Sequence, residues 1–467
     1  MSSKHRFDYE STVPASQQAT FDWHARPGAF QRLEPPWERL EVVDQRDTIG
    51  NGDRVTLRLR RGPFHANWQL EYRDIRPPEQ FRDIQVAGPY RGWEHLHSFQ
   101  DDLAGARMRD EVTYQVGGLS ALAGAKRIRR ILERTFWYRH QRVARDLARH
   151  VSQSRMRVLI GGASGVIGGA LAAFLTTGGH EVVQLVRHKA ESPSEIEWNP
   201  PHEIPEPSLL EGFDAVVGLS GENIGGGRWT RRRRQAIATS RIPTTKLLSR
   251  ALAELRHPPK VFYSQSAVGY YGSVAADPPP PLSEDAPLGE GFLAEVCREW
   301  EAAADPAREA GIRVVHGRTG VVLDPGSSLV GRLLPLFRLG LGGVVAGGRQ
   351  PLCWIGLDDV VGAIAFLIQH PSASGPYNLV GPEQVDNRAF TKTLASLIRR
   401  PALAPVPGFA LGLAMGQMGI ELAVRGQSVS PQRVQDLGFE FQEPTLRGAL
   451  AWELGIREKG AVAVRQA

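Results

Sequence analysis

The sequence predicts an α/β protein built around a doubly wound parallel sheet, followed by a small, mostly helical segment and preceded by an α+β segment. Three observations carry this. From Met156 onward, short β-branched runs alternate with amphipathic helical stretches, the pattern of a parallel sheet covered on both faces. The first of these runs ends in a glycine-spaced turn, GGASGVIGG, which opens an alanine-rich helix. Ahead of it lies a series of half-polar runs punctuated by turn residues and closed by one long helical stretch. At 467 residues the chain suits two or three cores, and the composition shifts place the divisions at 1–150, 156–381 and 382–467.

In the first segment, Leu40–Gln45, Arg54–Arg61, Ala66–Arg76, Phe81–Ala87, Trp93–Gln100 and Met108–Val116 alternate or mix apolar with polar side chains. Val55, Leu57 and Leu59 share one face, as do Trp68, Leu70 and Tyr72. A short helical stretch follows Pro14, and an arginine-rich amphipathic helix runs from about Gly124 to His150. Trp93, His95, His97 and Phe99 fall on one strand face. Two alternating histidines without a carboxylate cluster beside them make a poor metal site, so a half-wet sheet edge and no metal are expected. Asp110 shares a face with Met108 and Val112, as either a ligand-facing group or a satisfied structural one.

A polar joint, His150 to Ser154, leads into the second segment. Its order is strand Arg157–Ile160, a helix to Gly178, strands Glu181–Arg187 and Ala215–Leu219, a long helix, strand Val261–Ser264, a helix, and strand Val314–Arg318. Gly162, Gly165 and Gly168, with Ser164, Val166 and Ile167 between them, form a turn that lets a pyrophosphate approach the backbone where a helix begins. Free N–H groups and the helix dipole favour anions there. A second strand ends about twenty residues further on, the context of a dinucleotide-binding Rossmann unit. A carboxylate at that strand end would bind the ribose hydroxyls of NAD. The sequence instead reads LVRHK, which sets Arg187, His188 and Lys189 where a 2′-phosphate would lie, so NADP is the expected cofactor. Beyond about Pro382 the chain reads as mostly helical, and no internal repeat or low-complexity tract occurs apart from the prolines at 278–281.

Composition narrows the class. Cys297 and Cys353 are the only cysteines, which excludes a disulfide framework and a cysteine metal cluster. The start, MSSKHRFDYESTV, has no apolar core segment, so no secretory signal is expected. Phe409 to Val424 is the most apolar run, but Gln417, Glu421 and several glycines make it a buried helix rather than a membrane span. A cytoplasmic protein without a membrane partner is therefore expected. The net charge of +6 gathers at Arg127, Arg129, Arg130 and Arg134 and at Arg231–Arg234. Both clusters sit in helical patterns beside apolar residues, which favours solvated helix faces over a nucleic-acid surface.

The glycine spacing resembles that of the extended short-chain dehydrogenase/reductase superfamily, which includes the NAD-dependent epimerases and dehydratases. The phrases LSGENIGGGRWTRRRRQAIATSRIPTTKLL, SQSAVGYYG, GRTGVVLD and PLCWIGLDDVVGAI, with the tail from PVPGFALGLAMG, resemble an epimerase-like family that carries its own small C-terminal domain of unknown function; the likeness covers roughly residues 156 to 455. The element order of residues 1–150, with WEHLHSF and MRDEVTY, resembles the helix-grip fold of the START and polyketide-cyclase superfamily. That likeness implies an apolar ligand between helix and sheet, in a cavity that Trp93, His95, His97 and Phe99 could line as the alternative to a half-wet edge for the histidines.

These resemblances imply an atypical NADP-dependent oxidoreductase or epimerase acting on a small molecule. By the same likeness, Leu219, Ser220 and Gly221 would flank the adenine and ribose, and Ser264 would close the strand beside the cofactor. Ser266 stands where the superfamily keeps its catalytic serine, Thr319 would lie near the nicotinamide, and Asp358 would cap a helix. The superfamily's proton-donating tyrosine and the lysine four residues later are missing: Leu293 and Cys297 occupy those places, and none of the nine tyrosines has a lysine four residues on. Cys297 reads as buried filler. An unassisted tyrosine titrates near ~10, which handicaps acid–base work at neutrality by roughly 4 kcal/mol. Tyr270 and Tyr271 are the remaining candidates for the proton donor, or else aromatic packing beside the site. Two readings follow: an NADP-dependent enzyme using Ser266 with Tyr270 or Tyr271, or an NADP(H)-binding sensor or scaffold that has lost turnover.

Overall fold

The computed structural model describes residues 3–458 apart from 39, 45–48, 62–63, 117–120, 151–153, 201–202, 204–205, 274–279 and 327–328. Expected strand residue Gln45, most of the joint at 151–153 and part of the proline run lie outside the described residues. The chain forms two compact units, one built mainly on residues up to Arg155 and one on Met156–Ala172 and His180–Ile456.

In the first unit, strands β1 (Ser3–Val13), β2 (Leu40–Asp44), β3 (Arg54–Arg61), β4 (Phe64–Arg76), β5 (Gln80–Ala87), β6 (Gly92–Asp102) and β7 (Gly105–Val116) make one antiparallel sheet in the order β1-β7-β6-β5-β4-β3-β2. Helices Gln17–Ala25 and Ala29–Leu33 join β1 to β2, and helix Ala121–His150 follows β7 and packs on β1. The period-2 alternation buries Phe7, Val55, Leu57, Trp93 and Val112 against Leu132 and Phe136 of that helix. A second apolar patch joins Phe21, Phe81, Phe99 and Met108 to Val143 and Leu147.

The expectation for the histidines is corrected here. His95 and His97 are 3% and 8% exposed rather than at a wet edge, because β5 and β7 flank β6 on both sides. Carboxylates do stand beside them: Asp83 opposite His95 and Asp110 opposite His97. Asp110 is thus a satisfied buried acceptor, bonded to His95 and His140.

In the second unit, β8 (Arg157–Gly161), β9 (Glu181–Val186), β10 (Glu195–Glu197), β11 (Ala215–Gly218), β12 (Val261–Ala267) and β13 (Arg313–Thr319) are joined by two short pairs and one further strand. The pairs are β14 (Val321–Leu323) with β16 (Trp354–Gly356) and β15 (Pro351–Leu352) with β18 (Val385–Asp386); the further strand is β17 (Gly375–Leu379). The main sheet is parallel throughout, in the order β10-β9-β8-β11-β12-β13-β17. Strand order reverses between β8 and β11, the crevice where open α/β sheets take ligands.

Three local expectations change. The long helix after Thr230 is two helices, Arg231–Thr239 and Ile242–Ala253, the second with Pro243 in its first turn. Asp358 does not cap its helix: Gly356 is the cap residue, and the Asp358 carboxylate accepts the indole N–H of Trp452 at 2.7 Å. Phe409–Val424 is not one buried helix. Helix Gly408–Met415 has no buried residue, and Phe409 and Leu413 are each 74% exposed. Gly416, at φ +62°, breaks the run before Gln417. Among the described residues no helix is long and apolar enough to cross a membrane.

Candidate cofactor and active site

The glycine turn sits at the switch point. Gly162 has φ +87°, and a Cβ there would lie 2.8 Å from the Leu219 carbonyl carbon and the Ser220 nitrogen. The end of β8 therefore presses directly on the segment after β11, and only glycine meets both demands. A Cβ on Gly168 would lie 2.3 Å from the Gly162 oxygen, which seats helix Val166–Thr177 close to β8. Gly165 donates its N–H to Gly162 O at 3.0 Å. Ser164, Gly165 and Val166 are exposed and Ile167 half-buried, so the start of the helix, whose first N–H groups have no partner within it, is open to solvent. Such a cradle suits a pyrophosphate.

Leu219 donates its N–H to Gly161 O at 2.8 Å, and the Ser220 hydroxyl lies over Gly161. Gly221 lies against the Arg241 guanidinium, which donates to Glu222 O at 2.9 Å and stacks over Trp300. Burial pushes that guanidinium down to about 10. Arg187, His188 and Lys189 follow β9, all exposed. The His188 ring is bonded to Lys189 O at 2.9 Å, which raises its pKa.

The residues expected to do chemistry meet at the ends of β12 and β13. Register pairs Ser264 with His316 and Ser266 with Arg318, so all four share one face of the sheet. Ser266 Oγ donates to Glu301 Oε1 at 2.7 Å. Arg318 grips both oxygens of that carboxylate, through Nε at 2.8 Å and Nη2 at 3.0 Å, and donates from Nη1 to the Tyr271 hydroxyl at 2.8 Å. Tyr271 in turn donates to Asn378 Oδ1 at 2.7 Å, and burial pushes its phenol up despite Arg318. The Arg318 guanidinium also covers the Tyr270 ring, 3.5 Å from its centre. Burial works to raise the Glu301 carboxyl, but Arg318 outweighs it and holds the group below its ordinary range.

Ser264 Oγ and His316 Nδ1 are buried without a hydrogen-bond partner, and burial pushes the His316 ring down to about 4. Thr319 points to the other face of the sheet, where its Oγ1 accepts from Gln265 Nε2 at 2.7 Å. Leu293 and Cys297 line helix Phe292–Ala302 where it packs on the turn Val268–Tyr271: a Cβ on Gly269 would lie 3.1 Å from Leu293 Cβ and 3.6 Å from Cys297 Sγ. The Cys297 thiol is buried, which pushes it up to about 12, and it packs against the turn.

Sequence reasoning missed Glu301 and Arg318. Both had signals. Glu301 lies one helical turn beyond Cys297 on the same face, and Arg318 interrupts a fully buried strand, where a charge must be paired.

Comparison with known proteins agrees with this architecture. The model of the NAD dependent epimerase/dehydratase family matches residues 158–400, and a domain of unknown function matches residues 406–453. An epimerase family protein of Mycobacterium leprae is 40% identical over 295 residues, 63% of this chain and 94% of that protein. Among solved structures, the nucleoside-diphosphate sugar epimerase from Corynebacterium glutamicum is similar over 97% of this chain and 90% of its own, at 30% identity and a TM-score of 0.78. The human epimerase family protein SDR39U1, solved with NADPH, is similar over 64% of this chain and 99% of its own, at 33% identity and a TM-score of 0.57. With its parallel sheet, its glycine turn at the switch point and a family match over more than half its length, the chain belongs to the NAD dependent epimerase/dehydratase family.

Proposed function

We propose that the protein is an NADP(H)-dependent oxidoreductase or epimerase acting on a small hydroxyl- or carbonyl-bearing molecule, of which nucleotide sugars are the first class to try. The observation that carries the cofactor choice is the exposed trio Arg187, His188 and Lys189 after β9, with no carboxylate in its place. The human relative solved with NADPH and the bacterial one described as a nucleoside-diphosphate sugar epimerase support the cofactor and the substrate class. In this reading residues 156–381 hold the cofactor and 382–467 border the substrate, while residues 1–150 form a helix-grip chamber for an apolar ligand.

When bound, the nicotinamide supplies the hydride acceptor or donor. The residues then divide as follows. The turn Gly162–Gly168 holds the pyrophosphate, with Ser164, Val166 and Ile167 offering backbone N–H groups, while Gly165, whose own N–H is held by Gly162 O, leaves room for the approach. Leu219, Ser220, Gly221 and Ser264 border the cofactor, while Thr319, on the opposite face of the sheet, is held by Gln265. Ser266 handles the proton of the reacting oxygen: as it accepts one, its own hydrogen passes along the existing bond to Glu301. Arg318 keeps Glu301 oriented and ionised. Tyr271 has its hydroxyl committed to Asn378 and Arg318, so Tyr270 is the better candidate for a second proton carrier.

One observation favours the alternative, a cofactor-binding sensor without turnover: Ser266 is 1% exposed and already hydrogen-bonded within the protein. The test is NADPH consumption or NADP⁺ reduction across nucleotide sugars and small carbonyls, compared between wild type and Ser266→Ala. Turnover that falls in the variant supports the enzyme. Tight NADPH binding with no turnover on any substrate supports the sensor.

A further inference from the structure

Inside the first unit lies a cluster that the cofactor reading does not use. Asp83 on β5 stands opposite His95 on β6, and His97 stands opposite Asp110 on β7. Alternate residues of a strand share a face, so the pairing brings all four side chains together there. All are buried. Asp83 Oδ2 lies 3.1 Å from His95 Nδ1 and 3.3 Å from His97 Nε2. On the far side of the rings, Asp110 Oδ1 lies 2.8 Å from His95 Nε2 and 2.7 Å from His97 Nδ1, the latter off the line of a good hydrogen bond. Asp110 Oδ2 is 2.6 Å from His140 Nε2, and His140 Nδ1 is 2.7 Å from Ser11 Oγ. Two more facts point to a ligand. Asp83 Oδ1 is buried with no hydrogen-bond partner. Asp83, His95 and His97 also line a cavity of about 80 Å³, together with Leu57, Trp68 and Trp93 among others.

We propose that Asp83, His95 and His97 bind one divalent transition-metal ion of the zinc or ferrous class, with Asp110 and His140 as the outer layer that orients the two imidazoles. This inference is independent of the cofactor reading of the second unit.

Geometry supports it first. One donor atom from each of the three residues can be chosen with all three within 4.8 Å of one another. Metal–ligand bonds of ~2.0–2.2 Å at tetrahedral angles set ligand atoms about 3.4 Å apart, close to the separations found around Asp83. With the ring N–H groups turned to Asp110, the lone pairs of His95 Nδ1 and His97 Nε2 converge on a carboxylate oxygen. Three electron-rich atoms in that arrangement repel unless a metal ion or a ring proton lies among them. Charge makes the same demand. Asp83 and Asp110 bury two negative charges in an apolar interior, which is costly without compensation. One divalent ion balances them with every histidine neutral. Two histidines and one carboxylate leave coordination positions open, and the cavity gives those positions room for water or a small molecule. Asp110, touching both ligand rings from behind, is the carboxylate–histidine support that metal sites use to fix ring tautomers.

The experiment uses the full chain without a histidine tag, stripped with chelator and titrated with Co²⁺ as a spectroscopic probe. The expected result is a visible d–d band saturating near one ion per chain, displaced by Zn²⁺, with a rise in Tm. Asp83→Asn and His97→Gln should weaken binding at least tenfold, and Asp110→Asn by about 10- to 100-fold. Circular dichroism and NADPH binding check that the variants are folded. Elemental analysis of freshly purified wild type tells zinc from iron, and either ion supports the proposal. Two outcomes overturn it, and the first needs no variant: folded wild type that takes up no stoichiometric Co²⁺ and carries no metal, in which case protons on His95 and His97 balance the carboxylates. The second is Co²⁺ uptake that is unchanged in Asp83→Asn.

Discussion

Ser266 Oγ donates to Glu301 Oε1 at 2.7 Å, and Arg318 holds both oxygens of the same carboxylate. The serine proposed to handle the proton is thus tied to a buried ion pair whose carboxylate lies on helix Phe292–Ala302 and whose guanidinium lies on β13. Leu293 and Cys297 lie earlier on the same helix. One turn further along, Glu301 supplies the only carboxylate hydrogen-bonded to Ser266 among the described residues. Ser266→Ala should lower turnover by about 10²-fold while NADPH affinity changes less than about twofold, the pattern of a group that acts mainly in the transition state. Steady-state kinetics beside a fluorescence titration checks both numbers.

Glu301→Gln should act on stability as well. It leaves the Arg318 guanidinium, 4% exposed, without its counter-charge. Breaking one side of a buried pair costs about 3–5 kcal/mol, whereas replacing both partners costs less. Urea unfolding should therefore show a large loss in Glu301→Gln and a partial recovery in the double variant Glu301→Gln with Arg318→Met. A double variant less stable than the single one would contradict this account of the pair.

Cofactor preference should follow the residues after β9. NADPH is expected to bind at least about tenfold more tightly than NADH, a difference of roughly 1.4 kcal/mol. Arg187→Asp should erase or reverse it by returning a carboxylate to the strand end. Equal affinities of wild type for the two cofactors would sink the assignment.

The turn makes a contrast between two glycines. Gly162→Ala combines φ +87° with a Cβ 2.8 Å from backbone atoms after β11, whereas a Cβ on Gly165 meets only the Gly162 oxygen, at 3.3 Å. Gly162→Ala should cost about 1–3 kcal/mol and lose cofactor binding. Gly165→Ala should keep most of its stability and lose affinity, since its Cβ stands where the phosphate would approach. Thermal melts with and without NADPH separate the two effects.

His316 gives the pH dependence a sign. Burial holds the folded ring down to about 4, against an ordinary 6.5 in the unfolded chain. As pH falls below about 6.5 the unfolded chain binds a proton that the folded chain refuses, so stability drops toward pH 4 and levels off beneath it. Between pH 7 and pH 5 the loss from this group should be about 2 kcal/mol. His316→Asn should lack that part of the slope, read as the difference between the two proteins' urea midpoints across the range.

The sequence by itself determined what short-range periodicity encodes. Alternation located β2 to β7, the long helix after them and the parallel βα succession, because side-chain period and turn chemistry are local properties. The glycine turn and the basic trio after β9 were legible for the same reason, since each is one contiguous stretch. The apolar run Phe409–Val424 misled. Hydrophobicity alone cannot say which face of a short helix finds a cover, and Gly416 had broken the run into pieces.

Only the tertiary structure decided which distant residues meet. Asp83 and Asp110 are 27 positions apart, yet the register of β5, β6 and β7 sets both against the histidines of β6. The two histidines therefore looked isolated in the sequence and are surrounded in the fold. Glu301, Ser266 and Arg318 come from a helix and two strands, joined because parallel register puts Ser266 beside Arg318 and the helix crosses that same face. Strand pairing and helix docking are set by burial over the whole core, and no local pattern records which charged groups that burial will force together.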